Sequence, residues 1–169
     1  MTKQLMKNLY SPSMLTSYLS CRHIIFNEIN EKKLNLEKIE LTKNDKLRIE
    51  KGNEHEKEYF NLLKNEYSKV IDIKELDLSI EEKINATREA LKEGYEVIHG
   101  GYLARDKWLG EFDFLVINRD IHSNFGDYGY EVIDTKNSKK PKSTHIIQLG
   151  MYTYMSVSYT HLTLPTKRI

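Results

Sequence analysis

The chain has 169 residues, enough for one domain with its own core and too few for two of ordinary size. Lysine and arginine number 26 against 25 acidic residues, so a net charge of +1 gives no bulk argument for a polyanionic partner, and any such partner must be read from local patches. No apolar run approaches the roughly 20 residues that cross a bilayer, Met1–Tyr10 lacks the pattern of a secretory signal, and the one cysteine, Cys21, cannot close an internal disulfide. The expected location is the cytoplasm.

Ser13 is placed to cap a helix carrying Leu15, Tyr18, Leu19 and Phe26. Glu31 to Asp45 is polar and reads as helix or loop. A longer helix is expected from about Lys46 into Tyr67, with Leu47, His55, Tyr59, Leu62, Leu63 and Tyr67 at helical spacing. Val70 to Ile73 suits a short strand. Ser79 and Glu82 form a capping box for a further helix through Ile84 and Leu91, which Gly94 ends. Three strands rich in β-branched and aromatic residues follow: Glu96–Ala104, Gly110–Ile117 and Tyr130–Lys136. The Asn, Asp and Gly between Asn118 and Gly129 suit an exposed hairpin connection. Asn137 to Ser143 is a basic loop, and Thr144 to Met155 a helix with Ile146, Ile147, Leu149 and Tyr152. Helices, a strand meander and a final helix imply an α/β sandwich with the sheet in the middle.

Val157–Thr166 reads VSYTHLTLPT, without the lysine- and glutamate-rich texture before it. It resembles one translated frame of a sequencing-library adapter; the other reading is a Thr-rich terminal strand. On the adapter reading, 156–169 is not native, 1–155 is a domain incomplete at its C-terminal end, and residues beyond Val157 should dock loosely. Leaving out Lys167 and Arg168 would turn the small net charge negative.

The residues with chemical promise fall in four places. In YEVIDTK, strand alternation puts Asp134 and Lys136 on one face and Glu131 and Thr135 on the other. A carboxylate beside an ammonium group suits phosphodiester cleavage, although an exposed D-x-K pair has the same sequence. In GEFDFLV, Asp113 lies between Phe112 and Phe114; it is either a buried carboxylate needing a cation or, with Glu111, a solvent-facing residue. In GNEHEKEYF, His55 shares a face with Tyr59 and Leu62 and is expected to point inward, while Glu56, the competing ligand on this helix, turns away from the apolar stripe. Such a histidine is a core residue or a nitrogen ligand for a cation such as Mn²⁺. Gly52, one turn earlier, would permit close approach of a strand or a phosphate. In QLGMY, Gln148 and Tyr152 share a helix face and could contact a phosphate, or Tyr152 could be core.

Taken together, G-x-x-H on a helix (Gly52, His55), G-x-x-D on a strand (Gly110, Asp113), D-x-K on the next strand (Asp134, Lys136) and Q-x-x-x-Y on the following helix (Gln148, Tyr152) resemble the RecB-like nucleases of the PD-(D/E)XK superfamily. The similarity runs from Ser11 to Met155 and is strongest to the bacterial members with a second, RNase H-like domain; Asp134 stands where many relatives have Glu. The resemblance implies a restriction-endonuclease-like α/β/α sandwich with a central mixed sheet, truncated at its C-terminus. It implies a Mg²⁺- or Mn²⁺-dependent (exo)deoxyribonuclease acting on single-stranded DNA or duplex ends, in DNA repair or processing. By similarity His55, Asp113, Asp134 and the Thr135 carbonyl would bind the metal, Lys136 would stabilise the transition state, and Gln148 and Tyr152 would orient the site. Lys139, Lys140, Lys142 and His145 follow the catalytic strand and would hold the DNA backbone, unless they form only a solvated loop. In relatives with an iron–sulfur cluster, including CRISPR-associated exonucleases, a cysteine at the position of Cys21 joins three others further on, whereas many relatives keep a cysteine here with no cluster. A non-catalytic DNA-binding or scaffolding module is the alternative from another class.

Overall fold

The computed structural model describes residues 9–37, 39–138 and 140–160. The chain enters through two helices, α1 (Pro12–Ser20) and α2 (Arg22–Leu34), followed by the long α3 (Lys43–Glu66), the strand β1 (Val70–Asp72) and α4 (Ile80–Lys92). Strands β2 (Val97–His99), β3 (Tyr102–Arg105), β4 (Trp108–Glu111), β5 (Phe114–Asn118) and β6 (Gly129–Ile133) lead to α5 (Ser143–Thr160).

Local chemistry explains several boundaries. The cap of α1 is Ser11 rather than Ser13: its side chain accepts from the Met14 amide, with Pro12 in the first turn, where no amide donor is required. The capping box at Ser79 and Glu82 forms as the spacing predicts, and Thr42 with Asp45 forms a second one at the head of α3. Glu31–Asp45 divides into the end of α2, a connection and the start of α3.

The main sheet has four strands in the order β1-β2-β5-β6. β1 pairs parallel with β2, and the two remaining pairings are antiparallel. Two clusters of buried residues lie on its opposite faces. Val97, Phe114 and Val116 meet Phe60 and Leu63 of α3. Ile98, Leu115 and Tyr130 meet Leu91 of α4 and Tyr152 and Met155 of α5. This is strand alternation at work, since Ile98 pairs with Leu115 on one side while Val97 pairs with Val116 on the other. The fold is thus mixed α/β, with helices on both faces of a mixed sheet.

Two expected strands are each interrupted. Glu96–Ala104 breaks at Gly100–Gly101, and Gly110–Ile117 breaks at Phe112–Asp113. The breaks lie opposite each other, bridged by Gly100 N–H to Asp113 O at 2.9 Å and Phe112 N–H to Gly101 O at 3.1 Å. β2–β3 and β4–β5 are therefore one long hairpin, bent where it leaves the main sheet. Gly100 makes the bend possible: its φ is +62°, and a Cβ there would sit 2.3 Å from Lys74 Cβ. Beyond the bend, β3 and β4 form a two-stranded sheet of their own, and Tyr10 adds a parallel bridge to Trp108 of β4. At Gly110 a Cβ would come within 2.8 Å of Pro12 and 2.9 Å of Tyr152, so this glycine lets α1 and α5 close over β4.

Val157–Thr160, expected to dock loosely, instead extend α5. The Tyr159 hydroxyl donates to Ala104 O at 2.9 Å and accepts from Ala104 N–H at 3.2 Å. The helix takes the place of a terminal strand up to Thr160, and the remainder of the expected tail lies outside the described residues. Among the described residues no helix is long and apolar enough to cross a membrane.

Candidate active site

The bent hairpin and the end of β6 bring two carboxylates together. Phe114 pairs with Ile133, so one step further along the same register sets Asp113 opposite Asp134. β6 itself ends at Ile133, and Asp134, Thr135 and Lys136 follow as irregular backbone rather than strand. Asp113 makes that exit definite: its Oδ2 accepts from Thr135 N–H at 2.7 Å and from the Thr135 hydroxyl at 2.9 Å. Of the two readings of GEFDFLV, Glu111 is the exposed residue and Asp113 the half-buried one.

Asp134 is the more deeply placed carboxylate, its side chain 5 % exposed, and its Oδ1 accepts from Lys136 Nζ at 2.8 Å. Burial raises its pKa above the usual carboxylate value, and the charge of Asp113 adds to the rise. The Lys136 ammonium, through this hydrogen bond and its charge, and more weakly His145 oppose it. The lysine expected beside the carboxylate is therefore there, and it is one-third exposed.

A cleft of about 700 Å³ lies between α3 and this irregular segment, lined among others by Gly52, Glu56, Asp113, Thr135 and Lys136. Arg48 and Lys51 of α3 and Lys142 before α5 add positive charge to the same cleft. A Cβ at Gly52 would meet nothing within 4 Å, so this glycine widens the cleft instead of seating a strand. A smaller hollow of about 280 Å³, lined by Asp134, Lys136 and His145, adjoins the start of α5. Lys136 belongs to both, and so stands at the boundary between the two carboxylates.

The phase of α3 differs from the sequence expectation. His55 is exposed, as is Leu62, while Gly52, Glu56, Tyr59, Phe60 and Leu63 form the face turned toward the sheet. Glu56, expected to turn away, is the residue that points in. Its Oε1 lies 2.9 Å from His99 Nε2 and 2.6 Å from Lys74 Nζ, and His99 Nδ1 lies 2.8 Å from Asp72 Oδ1. The hydrogen bond from His99, strengthened by Lys74, holds the Glu56 carboxyl down to about 2 against the opposing effect of burial. Burial disfavours the charge on Lys74, yet its contact with Glu56 and the charges of Glu111 and Asp113 leave its pKa raised.

His55 is thus not brought to Asp113 and Asp134, and among the described residues no group of three or more His, Cys, Asp or Glu side chains is gathered to hold a metal ion. The set that remains is two adjacent carboxylates. A hard cation such as Mg²⁺ is commonly held by one or two carboxylates together with water and substrate phosphate, and these residues suit that mode.

On α5, Tyr152 is 5 % exposed and donates its hydroxyl to Glu111 O, pinning the helix to the end of β4. Burial raises its pKa to about 12, opposed by a hydrogen bond with Gln148. Tyr152 is therefore a core residue that supports the strand leading to Asp113, and half-buried Gln148 lies one turn before it. Lys140 is exposed on the basic loop, and Lys139 lies outside the described residues. Cys21 is exposed between α1 and α2. The sequence gives no local signal for Asp72, Lys74, His99, Arg48 and Lys51, and it offers Glu56 only as a competing ligand facing away from the apolar stripe. Comparison with family models, with curated proteins and with solved structures returns no match.

Proposed function

We propose that this chain is a metal-dependent nuclease that hydrolyses phosphodiester bonds of DNA, of the RecB-like PD-(D/E)XK kind with a restriction-endonuclease-like core. The observation that carries the reading is the nearness of Asp113 and Asp134, each next to the paired Phe114 and Ile133, with Lys136 Nζ 2.8 Å from Asp134 and Asp113 in a cleft that also holds Arg48, Lys51 and Lys142. Two carboxylates beside four cationic side chains suit a phosphate backbone only when something neutralises the carboxylates locally.

Asp113 and Asp134 would hold Mg²⁺ or Mn²⁺, with the Thr135 carbonyl as the resemblance implies. Such an ion, when bound, would supply Lewis-acid chemistry, activating water at neutral pH and polarising the phosphate. The chain's own residues do the rest. Thr135, through two hydrogen bonds to Oδ2, fixes the carboxylate of Asp113, which lines the cleft. Lys136 offers its ammonium to the oxygens of the scissile phosphate, where negative charge grows as the bond breaks. Arg48, Lys51 and Lys142 bind flanking phosphates and set the path of the strand, while Tyr152 and Gly110 keep the strand behind Asp113 in position. A fluorescently labelled DNA substrate, incubated with the protein and Mn²⁺ or Mg²⁺, tests the reading; Asp134→Ala and Lys136→Ala should each abolish cleavage.

A further inference from the structure

Glu56 borders two adjoining hollows: the cleft with Asp113 and Lys136, and a second of about 420 Å³ reached by Asp72, Lys74 and His99. The group that holds it there is His99, which is 6 % exposed. The parallel register sets His99 directly beside Asp72. Its ring packs against Phe60, with centroids 4.2 Å apart, and against Phe114 at 4.9 Å and 20°. Carboxylate oxygens lie 2.8 Å from Nδ1 and 2.9 Å from Nε2, so each ring nitrogen faces a carboxylate and the two contacts hold the ring in one orientation.

Three elements thus meet in one chain of contacts: Asp72 from β1, His99 from β2 and Glu56 from α3. Phe114, against which the ring lies, is the neighbour of Asp113, and Gly100, which bonds the Asp113 carbonyl, is the neighbour of His99. The geometry ties Glu56 to the same bend that carries Asp113. Both Lys74 and His99 contact Oε1 of Glu56, and neither contacts Oε2.

We infer that His99 is a positioning residue of the proposed site: Asp72 orients its ring, and its Nε2 holds the Glu56 carboxylate at the wall of the cleft beside Asp113 and Lys136. A carboxylate fixed there accepts hydrogen bonds from water in the cleft and keeps Lys74 at its side. A histidine needed only for packing would lack this directional demand on Nε2. The role rests on the nuclease reading, and the test separates the two.

The amide nitrogen of glutamine reaches about as far as Nε2, and that of asparagine about as far as Nδ1. His99→Gln therefore keeps a donor for Glu56, and His99→Asn keeps only the one for Asp72. Both lose the same ring stacking, so a purely structural role predicts similar defects in both. In a steady-state assay of DNA cleavage, His99→Asn should lower kcat at least about tenfold with KM within about twofold, while His99→Gln stays within about threefold of wild type. Their melting temperatures should lie close together. Equal kcat in the two variants, or a change confined to KM, overturns the positioning role and leaves the nuclease reading standing. A wild-type protein that cleaves nothing overturns the nuclease reading, and this role with it. Should His99→Asn fail to fold, Glu56→Ala carries the test: the same kcat loss is expected, and undiminished kcat overturns the inference.

Discussion

Replacing Gly100 by Ala attacks the bend on which the site is built. Two effects add. Gly100 has φ +62°, where an L-residue is strained by roughly 1–2 kcal/mol. The new methyl carbon would lie 2.3 Å from Lys74 Cβ, far inside the ordinary carbon contact of about 3.5–4 Å, so β2 and the segment after β1 must separate. Overpacking of this kind costs about 1–3 kcal/mol. The stiffer unfolded chain returns about 0.4–1 kcal/mol. The balance is a destabilisation of about 1–5 kcal/mol, or roughly 2–20 °C in Tm for a domain of this size. Because the Gly100 N–H bonds the Asp113 carbonyl, the displacement also reaches Asp113, and cleavage should fall at temperatures where the variant is still folded. Gly126→Ala is the control: it too has positive φ, but a Cβ there meets nothing within 4 Å, so only the strain remains. Calorimetry of the three proteins measures the effect. A Gly100→Ala protein that melts no lower than Gly126→Ala and cleaves normally would refute the reasoning.

Further outcomes follow from the same geometry. Glu56 has its carboxyl held down to about 2 from an ordinary 4.5, so its contribution to stability is complete above pH 4.5 and is lost as the pH falls toward 2. After solvent screening that contribution is on the order of 1–2 kcal/mol, and the gap between wild type and Glu56→Gln in urea unfolding should narrow between pH 6 and pH 3. Arg48→Ala and Lys51→Ala should weaken DNA binding uniformly across sequences and reduce the salt slope of log K by about one each, measured by fluorescence anisotropy. Ending the chain after Met155 removes the two contacts between Tyr159 and Ala104 and should lower Tm by several degrees. An unchanged Tm would mean that Val157–Thr160 add nothing to the fold.

What could be read from the sequence was whatever is decided locally. The capping box at Ser79 and Glu82 needs residues three apart, and it forms. Asp134 and Lys136 needed only alternation to be neighbours, and their side chains meet even though the regular strand has ended. The phase of α3 was different, because Tyr59–Phe60 and Leu62–Leu63 let two stripes fit the helical period equally well. The stripe with His55 avoids burying a carboxylate and looks favourable on its own. The stripe actually used buries Glu56, and its compensation comes from Lys74 and His99, which lie 18 and 43 residues away. No local pattern carries that information. The break at Phe112–Asp113 was hidden for a similar reason: its cause is the left-handed Gly100 on the opposite strand, not anything in GEFDFLV.

The central claim is that Asp113, Asp134 and Lys136 form a phosphodiester-hydrolysing centre, and one measurement addresses it most directly. Purified protein is mixed with end-labelled single-stranded and duplex DNA in Mn²⁺, in Mg²⁺ and in excess chelator, alongside Asp113→Ala, Asp134→Ala and Lys136→Ala. Cleavage is expected from the wild type only with metal present and is lost in all three variants, with Mn²⁺ binding retained in Lys136→Ala and weakened in the two aspartate variants. Full activity in Asp134→Ala would contradict it. So would a wild-type protein that binds DNA without cutting it, the behaviour expected of a non-catalytic DNA-binding module.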